Sequence, residues 1–369
     1  MQSSSGVRAL GSVAIGVMAR RGGFVFDRCY YYDPEHRWEQ DVAIARWAER
    51  EYAPYPIYNA EAHLVQLSHQ PRPYRQVGGL QPNLIVGAAL GADLVFPGDK
   101  DPDITVTPLR GVDDLSQLRS IRWDEREPIR TFLSQLDELR AKYGGDVDVF
   151  PPFFWDRSGR ATVHGPVTTA QKLWGEDFFV LLLEDFSAAL ERLMWISEVY
   201  NHLIRLFSER AELRVTGIHI GECSGCLLSP QHWEEAVIPA MNAMVDVWGP
   251  VRIHSCGGSD HVLEPMSKVH HLAVFNIGTN TSVAESRRLV GPKVKLDVIP
   301  DAQMLCFGKP VDVRAWVQRT LMENDGGPLE FQFHLDAGVP LANAVAVFQT
   351  LAEHGLPQPY ESLVERWGV

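Results

Sequence analysis

The sequence predicts an α/β protein with a TIM-like (β/α)8 barrel, preceded by a helical extension at the N-terminus. Three observations favour this fold class. Short apolar runs alternate with helical patterns from Gly217 onward. The loops between them are short, which favours right-handed βαβ crossovers and a parallel sheet. The length of 369 residues suits a single barrel with additional helices.

The chain is interpreted as one domain, with residues 1–70 as the N-terminal extension and residues 71–369 as the barrel. An amphipathic helix is predicted over Glu127–Tyr143, because its apolar stripe stops at a pair of glycines. The continuous apolar run Val147–Trp155 predicts a strand that is covered on both faces.

Strands and helices then succeed one another regularly. The predicted strands are Gly217–Gly221, Val251–Ser255, Leu272–Ile277, Val294–Ile299 and Leu329–Leu335. The predicted helices are Pro230–Trp248, Val262–Lys268, Ser282–Val290, Val311–Asn324 and Leu341–His354. Because the chemistry of a TIM barrel lies at the carboxyl ends of its strands, these ends are where functional side chains are expected.

Composition limits the partners that this chain can have. The formal net charge is −13, which argues against binding to nucleic acid or to an anionic membrane surface. No run of 18 apolar residues is present, so membrane insertion is not expected. Five cysteines in a long chain suggest a reducing cytoplasm, where a thiol is more often a metal ligand or inert than part of a disulfide.

The most informative strand end is Val251–Ser259, which leads into two glycines. Side chains of a strand alternate between faces, so Arg252, His254 and Cys256 point to the same side. An imidazole and a thiol two residues apart are typical of a metal site. A buried histidine and a buried cysteine without any ligand would give the same pattern.

Other strand ends offer further candidates. Glu222 follows the strand Gly217–Gly221 and is expected to act as a ligand, a base or a substrate contact. Cys223 begins a Cys-x-x-Cys pair, which is by itself a weak metal signal. His334 lies on the polar, lumen-facing side of the last strand, and Cys306 follows the end of the strand before it.

A zinc ion is the predicted cofactor. His254, Cys256 and one further donor would leave a fourth position open, as in catalytic zinc sites. His334 is the favoured third ligand, with Cys306 and Cys223 as alternatives. Such a zinc can bind a substrate thiol and keep it as the nucleophilic thiolate, while Arg252 could bind an anionic substrate.

These motifs resemble the uroporphyrinogen decarboxylase superfamily, and within it the zinc-dependent methyltransferases of the methylcobalamin:coenzyme M type. The Gly-Pro-x-Thr turn at Gly165, the Ser-Pro helix start at Ser229 and the His-x-Cys-Gly strand end at His254 occur in that order. The resemblance implies a TIM barrel whose zinc is held by His254, Cys256 and a later cysteine. This chain has Ala337-Gly338-Val339-Pro340 where that cysteine would lie.

Two function classes follow from the resemblance and the strand ends. The first is a zinc-dependent methyl or alkyl transferase that acts on a small thiol or similar soft nucleophile, with a separate corrinoid protein as partner. The alternative is a metal-dependent lyase or decarboxylase that acts on a small carboxylated substrate, and a non-enzymatic binding protein is a third, less favoured class. Glu222 and Arg252 are the catalytic candidates in either enzyme.

Overall fold

The computed structural model describes residues 6–59 and 72–369. Its strands are β1 (Val7–Val13), β2 (Ile57–Asn59), β3 (Tyr74–Gln76), β4 (Leu94–Val95), β5 (Asp103–Ile104), β6 (Asp148–Phe150), β7 (Arg160–His164), β8 (Gly217–Gly221), β9 (Val251–His254), β10 (Leu272–Ile277), β11 (Lys295–Val298) and β12 (Leu329–Leu335). Its α-helices are α1 (Ile15–Val17), α2 (Arg28–Tyr32), α3 (Pro34–Tyr52), α4 (Pro82–Ala89), α5 (Ser116–Arg119), α6 (Ile129–Tyr143), α7 (Pro166–Trp174), α8 (Asp177–Glu184), α9 (Phe186–Arg210), α10 (Pro230–His232), α11 (Ile238–Trp248), α12 (Leu263–Met266), α13 (Val283–Val290), α14 (Ala302–Phe307), α15 (Pro310–Glu323), α16 (Leu341–Glu353) and α17 (Leu363–Trp367). None of the described helices is both long and apolar enough to cross a membrane.

Eight parallel strands form one sheet in the order β2-β1-β12-β11-β10-β9-β8-β7. The first strand of the chain pairs with the last along its whole length, from Val7 opposite Leu329 to Val13 opposite Leu335. Pairing of the first strand with the last is typical of a closing barrel rather than of an open doubly wound sheet. The predicted TIM-like fold is therefore confirmed.

The N-terminal segment contains strands of the large sheet in addition to the helices predicted for it. It supplies β1 and β2 to the sheet as well as the long helix α3. A Cβ on Gly11 would lie 2.9 Å from the ring of Phe333, so the close approach of β1 to β12 requires a glycine there. Gly11 and the neighbouring Ser12 interrupt the apolar run, so the sequence does not show the pattern of a buried strand at this place. The predicted boundary between residues 70 and 71 lies outside the described residues.

The apolar run Val147–Trp155 also forms less strand than predicted. Only Asp148–Phe150 is extended, and this strand, β6, pairs with β3 outside the eight-stranded sheet. Two prolines follow at positions 151 and 152, and proline cannot donate the hydrogen bond that would continue a central strand. The strands and helices predicted after Gly217 are present with small differences at their ends.

Residues alternate between two environments along the strands of the large sheet. Ile218 and Ile220 on β8, and Val251 and Ile253 on β9, are buried apolar side chains that belong to the hydrophobic core. The intervening positions carry polar side chains, as expected of strands whose other face points into the barrel. This alternation places Arg252 and His254 on the same face.

The polar face carries a buried network of balanced charge. The Arg252 guanidinium lies 2.7 Å from the Asp297 carboxylate, and Lys295 lies 3.1 Å from Asp297 and 3.0 Å from Glu330. The amide of Gln332 donates to Glu330 at 2.6 Å. Each buried carboxylate thus has a cationic partner, which is the condition under which ions are tolerated in an interior.

Acid should weaken the protein through Glu330. Burial alone would raise the pKa of this carboxyl, but Lys295 and the Gln332 amide outweigh burial and lower the pKa. A lowered folded-state pKa stabilises the fold fully above the unfolded pKa of about 4.3, and this stabilisation is lost progressively as the pH falls from there through the folded pKa of about 2. At pH 6 we expect the free energy of unfolding of the wild type to be about 2 kcal/mol higher than that of Glu330→Gln.

Urea titrations of both proteins at pH 6 and pH 3 measure this difference, which should fall to roughly half at pH 3, because that pH lies between the unfolded pKa and the folded pKa of about 2. Glu353→Gln is the matched control, because Glu353 is an exposed partner of Arg314 and exposed pairs contribute about 0–1 kcal/mol. An equal difference between wild type and Glu330→Gln at both pH values would contradict the expectation.

Candidate metal centre and ligand cavity

The loop after β8 is held in place by the carboxylate of Glu222. This side chain is completely buried and accepts hydrogen bonds from the backbone N–H groups of Val167 and Thr168 at 2.9 and 2.8 Å. The Thr168 hydroxyl donates to it as well, at 2.6 Å. Glu222 therefore accepts hydrogen bonds from the free backbone N–H groups at the start of α7, and this contact fixes the loop that carries Cys223.

Burial raises the pKa of Glu222 to about 7, even though the hydrogen bonds from Thr168 and Val167 oppose that shift. Glu222 is not among the residues that line the cavity described below. In the structure it lies beneath the loop that carries Cys223 and holds the start of α7, while its predicted role as a ligand, a base or a substrate contact stays a prediction.

His254 and Cys256 lie at the end of β9. A hydrogen bond to the His254 ring determines which of its two nitrogens is free to bind a metal. The Nδ1–H of His254 donates a short hydrogen bond to the side-chain oxygen of Asn276. Asn276 is completely buried, and its own amide donates to the backbone oxygen of Asp297 at 3.0 Å. The Nε2 lone pair of His254 is thereby directed toward the thiols, as in many metal-binding histidines.

Three donor atoms converge at this point. The Cys256 sulfur lies 3.0 Å from His254 Nε2 and 3.0 Å from the Cys223 sulfur. Ligand atoms of Cys223, His254 and Cys256 all lie within 4.8 Å of one another. Register explains this convergence: Gly221 on β8 pairs with His254 on β9, so the residues two positions later, Cys223 and Cys256, reach the same level.

This donor set fits a zinc ion. Two cysteines and one histidine are a common zinc ligand set, and tetrahedral zinc separates its ligand atoms by roughly 3.6–3.8 Å. The observed separations require an outward movement of less than about 1 Å to reach that spacing. The hydrogen bond from Cys223 lowers the pKa of the Cys256 thiol, and the same contact together with burial raises the pKa of Cys223.

The other predicted ligands lie elsewhere. His334 on β12 forms a 2.6 Å hydrogen bond with the Ser12 hydroxyl on β1, and burial lowers its pKa. Strands β10 and β11 separate β12 from β9, whereas β8 is adjacent to β9. Cys306 lies in α14. In the part of the chain that the structure describes, the donor cluster thus contains Cys223 rather than His334 or Cys306.

A cavity of about 220 Å³ opens beside the cluster and is lined by Cys223, His254 and Cys256 together with residues of β7, β8 and β9. Six further lining residues are Gln81, Trp155, Arg160, Thr162, His164 and His219. Sequence reasoning did not select these six. The sequence did contain a signal for β7. Its polar residues Arg160, Thr162 and His164 follow one another at intervals of two, as Arg252 and His254 do on β9, and so share one face.

Arg252 lines the cavity and is anchored by three partners. Its guanidinium donates to Asp297 at 2.7 Å, to His219 Nδ1 at 2.8 Å and to Gln332 at 2.9 Å. Because His219 Nδ1 accepts this bond, its proton must lie on Nε2. Burial and the neighbouring Arg252 and Arg160 keep the pKa of His219 well below its ordinary value, so this imidazole is neutral.

Most of the chain matches one known protein family. The family model described as Uroporphyrinogen decarboxylase (URO-D) matches residues 82–354, which is most of the chain. The chain belongs to the uroporphyrinogen decarboxylase family. The superfamily resemblance read from the Gly165, Ser229 and His254 motifs is thus confirmed, and membership supports an enzymatic role.

Among solved structures, this family member is similar to a methyltransferase from Methanosarcina mazei. The two have a TM-score of 0.62 and 16% sequence identity, over 96% of this chain and 95% of the other. At that identity the likeness establishes a shared fold, and function has to be argued from the site. No curated protein matches the sequence.

Proposed function

We propose that this member of the uroporphyrinogen decarboxylase family is a zinc-dependent methyl or alkyl transferase that acts on a small thiol or similar soft nucleophile. The observation that carries the proposal is the convergence of Cys223, His254 and Cys256 on the wall of a small cavity. Three protein donors leave the fourth position of a tetrahedral ion to a ligand from that cavity. When bound there, zinc would lower the pKa of a substrate thiol so that the thiolate exists near neutral pH.

The identity of the third donor bears on the choice between the two enzyme classes. A second imidazole would leave the ion more electrophilic and its bound thiolate less nucleophilic, which suits polarisation of a carboxylate. Cys223 instead adds a second thiolate, which favours a nucleophilic bound sulfur. The cluster thus supports alkyl transfer over the lyase alternative, and it replaces the later cysteine that the family pattern implied.

The protein's own residues would confine and orient the reactants. Trp155 and Pro82 line the cavity and reduce the room for water beside the donors. The guanidinium of Arg252 is held by Asp297, so a polar substrate group would meet a donor that is already oriented. A separate corrinoid protein would bring the methyl group to the open end of the barrel.

The lyase alternative has one observation in its favour. Arg252 and Arg160 both line the cavity, and no carboxylate side chain lines it among the residues that the structure describes. A small carboxylated substrate would find charged hydrogen-bond donors there. Metal-dependent decarboxylation at the same barrel mouth would then proceed without an alkyl donor.

X-ray absorption at the zinc edge separates the two functions. Added thiols should create a new metal–sulfur bond in the wild-type protein, and Cys306→Ser should behave in the same way because its thiol is outside the cluster. An unchanged spectrum with every thiol, together with a change on adding small carboxylates, would reject alkyl transfer and select the lyase.

Removal of the Asn276 side chain should weaken zinc binding while the protein remains folded. Asn276→Ala leaves the His254 ring without the acceptor that fixes its Nδ1 proton, so the ring can rotate or expose the wrong nitrogen. Loss of such a supporting contact typically costs 10–100-fold in metal affinity. Competition with a zinc-binding indicator measures the affinity directly.

The matched control is Asn201→Ala. Asn201 also makes two side-chain hydrogen bonds, to the Ala243 oxygen and to the Trp248 indole, but on α9 away from the cluster. Zinc affinity should be unchanged in this control. An Asn276→Ala protein that binds zinc as tightly as wild type would show that Asn276 does not orient the ligand.

A further inference from the structure

Three neighbouring strands end at the same level beside the cluster. Register pairs His164 on β7 with Gly221 on β8, and Gly221 with His254 on β9. All three residues line the cavity. Since adjacent strands are about 4.8 Å apart, the two histidines start from backbone positions about 10 Å apart, with only a glycine between them.

Gly221 leaves that space open without being required by the backbone. A Cβ at this position would lie 3.8 Å from His254 Cδ2 and 3.9 Å from the Val163 oxygen, which are ordinary contacts. Its φ is not among the positive values that demand glycine. The missing side chain therefore provides room in the cavity next to the donor cluster.

His164 faces this room with one specific tautomer. Its Nδ1 is buried and has no hydrogen-bond partner among the described residues. A proton at Nδ1 would be a buried N–H without an acceptor, which is more costly than a buried lone pair, so the proton belongs on Nε2. Burial and the nearby His254 lower the pKa of His164 to about 4, which keeps the ring neutral. The ring thus offers a hydrogen-bond donor to a molecule in the cavity.

We propose that His164 is a specificity-determining residue that donates a hydrogen bond from Nε2 to an acceptor atom of the molecule lying over Gly221. It selects thiols that carry an oxygen acceptor over alkyl thiols of the same size. This role rests on the proposed transferase function, because the sulfur of the same molecule would be held at the cluster formed by Cys223, His254 and Cys256.

The test uses the full-length protein with cobalt(II) in place of zinc and follows visible absorption as a thiol is added. The probes are 3-mercapto-1-propanol and 1-butanethiol, which have the same number of heavy atoms and differ in a terminal hydroxyl or methyl group. We expect wild type to bind the mercaptopropanol roughly fivefold to tenfold more tightly, which is the range of one net hydrogen bond.

Four variants test separately the hydrogen bond from His164 and the space over Gly221. His164→Phe should bind both thiols with nearly equal affinity, whereas His164→Gln, whose amide nitrogen can replace Nε2, should retain the preference. Gly221→Ala should weaken both thiols by more than about tenfold, because its methyl group occupies the space that they need. His202→Asn, on the exposed side of α9, should behave like wild type.

An unchanged preference in His164→Phe would overturn the role of His164 and leave the transferase function standing. Failure of both thiols to alter the wild-type spectrum would reject the transferase function, and propionate then becomes the probe. Tenfold weaker propionate binding in His164→Phe would support His164 as a ligand-binding residue of the lyase. Equal propionate binding in the two proteins, or none in wild type, would overturn the proposed role of His164 as well.

Discussion

Cys256→Ser, purified without added metal and dialysed, should retain less than about 0.1 zinc per chain where wild type retains about one. The reason is the number of donors. Within the described ranges 6–59 and 72–369 the donor cluster consists of Cys223, His254 and Cys256, so loss of one thiolate leaves two protein ligands. Two ligands cannot compete with water and chelators, and the affinity should fall by at least about 100-fold.

The same measurement decides which residue is the third ligand. Cys223→Ser should lose zinc as completely as Cys256→Ser, while Cys306→Ser and His334→Asn should remain loaded. Retention of zinc by Cys223→Ser together with loss from His334→Asn would reject the Cys223 cluster as the metal site. Acidification should also release the metal, because protons compete with zinc for the thiolates.

Asp297→Ala should lower the free energy of unfolding by about 3–5 kcal/mol. Asp297 is completely buried, and its carboxylate pairs with both Arg252 and Lys295. Its removal leaves the Arg252 guanidinium, which is 8% exposed, without its anionic partner in the barrel interior. Lys295 keeps Glu330 as a partner, so most of the cost arises from Arg252.

Urea titration of Asp297→Ala against Asp246→Ala measures this cost with a matched loss of one carboxylate. Asp246 pairs with His270 at the surface, and exposed pairs contribute about 0–1 kcal/mol. Comparable unfolding free energies for the two variants would show that the buried network does not stabilise the barrel. A variant carrying both Asp297→Ala and Arg252→Met should recover part of the loss, since it removes the unpaired charge.

The sequence was sufficient to predict the fold, because the alternation of strand and helix patterns and the length of the loops between them are local properties of the chain. It also placed His254 and Cys256 on one face. Side chains of a strand alternate between its two faces, and this alternation can be read without knowing the neighbouring strands. It could not rank Cys223 above His334, since that choice depends on which strands are neighbours and on their register. The register of β8 against β9, in which Gly221 lies opposite His254, brings Cys223 level with Cys256.

Glu222 illustrates a second limit. An acidic residue at the end of a strand predicts chemistry, and the same position also suits a carboxylate that accepts the amides of a neighbouring helix. Only the contact with Val167 and Thr168, more than fifty positions earlier in the chain, distinguishes the two. His164 was overlooked for a different reason. It shares a two-residue spacing with Arg160 and Thr162, but only the structure shows that this strand lines the cavity.

The pairing of β1 with β12 has a consequence for how the protein is made. During synthesis, β1 can meet β2 early, but its other edge has no partner until the chain has been translated as far as Leu335. Such long-range pairing slows folding, and an unpaired strand edge invites association with other chains. The sheet is therefore completed only after β12 has been made, and the β1 edge is the part of the sheet most open to association with other chains before then.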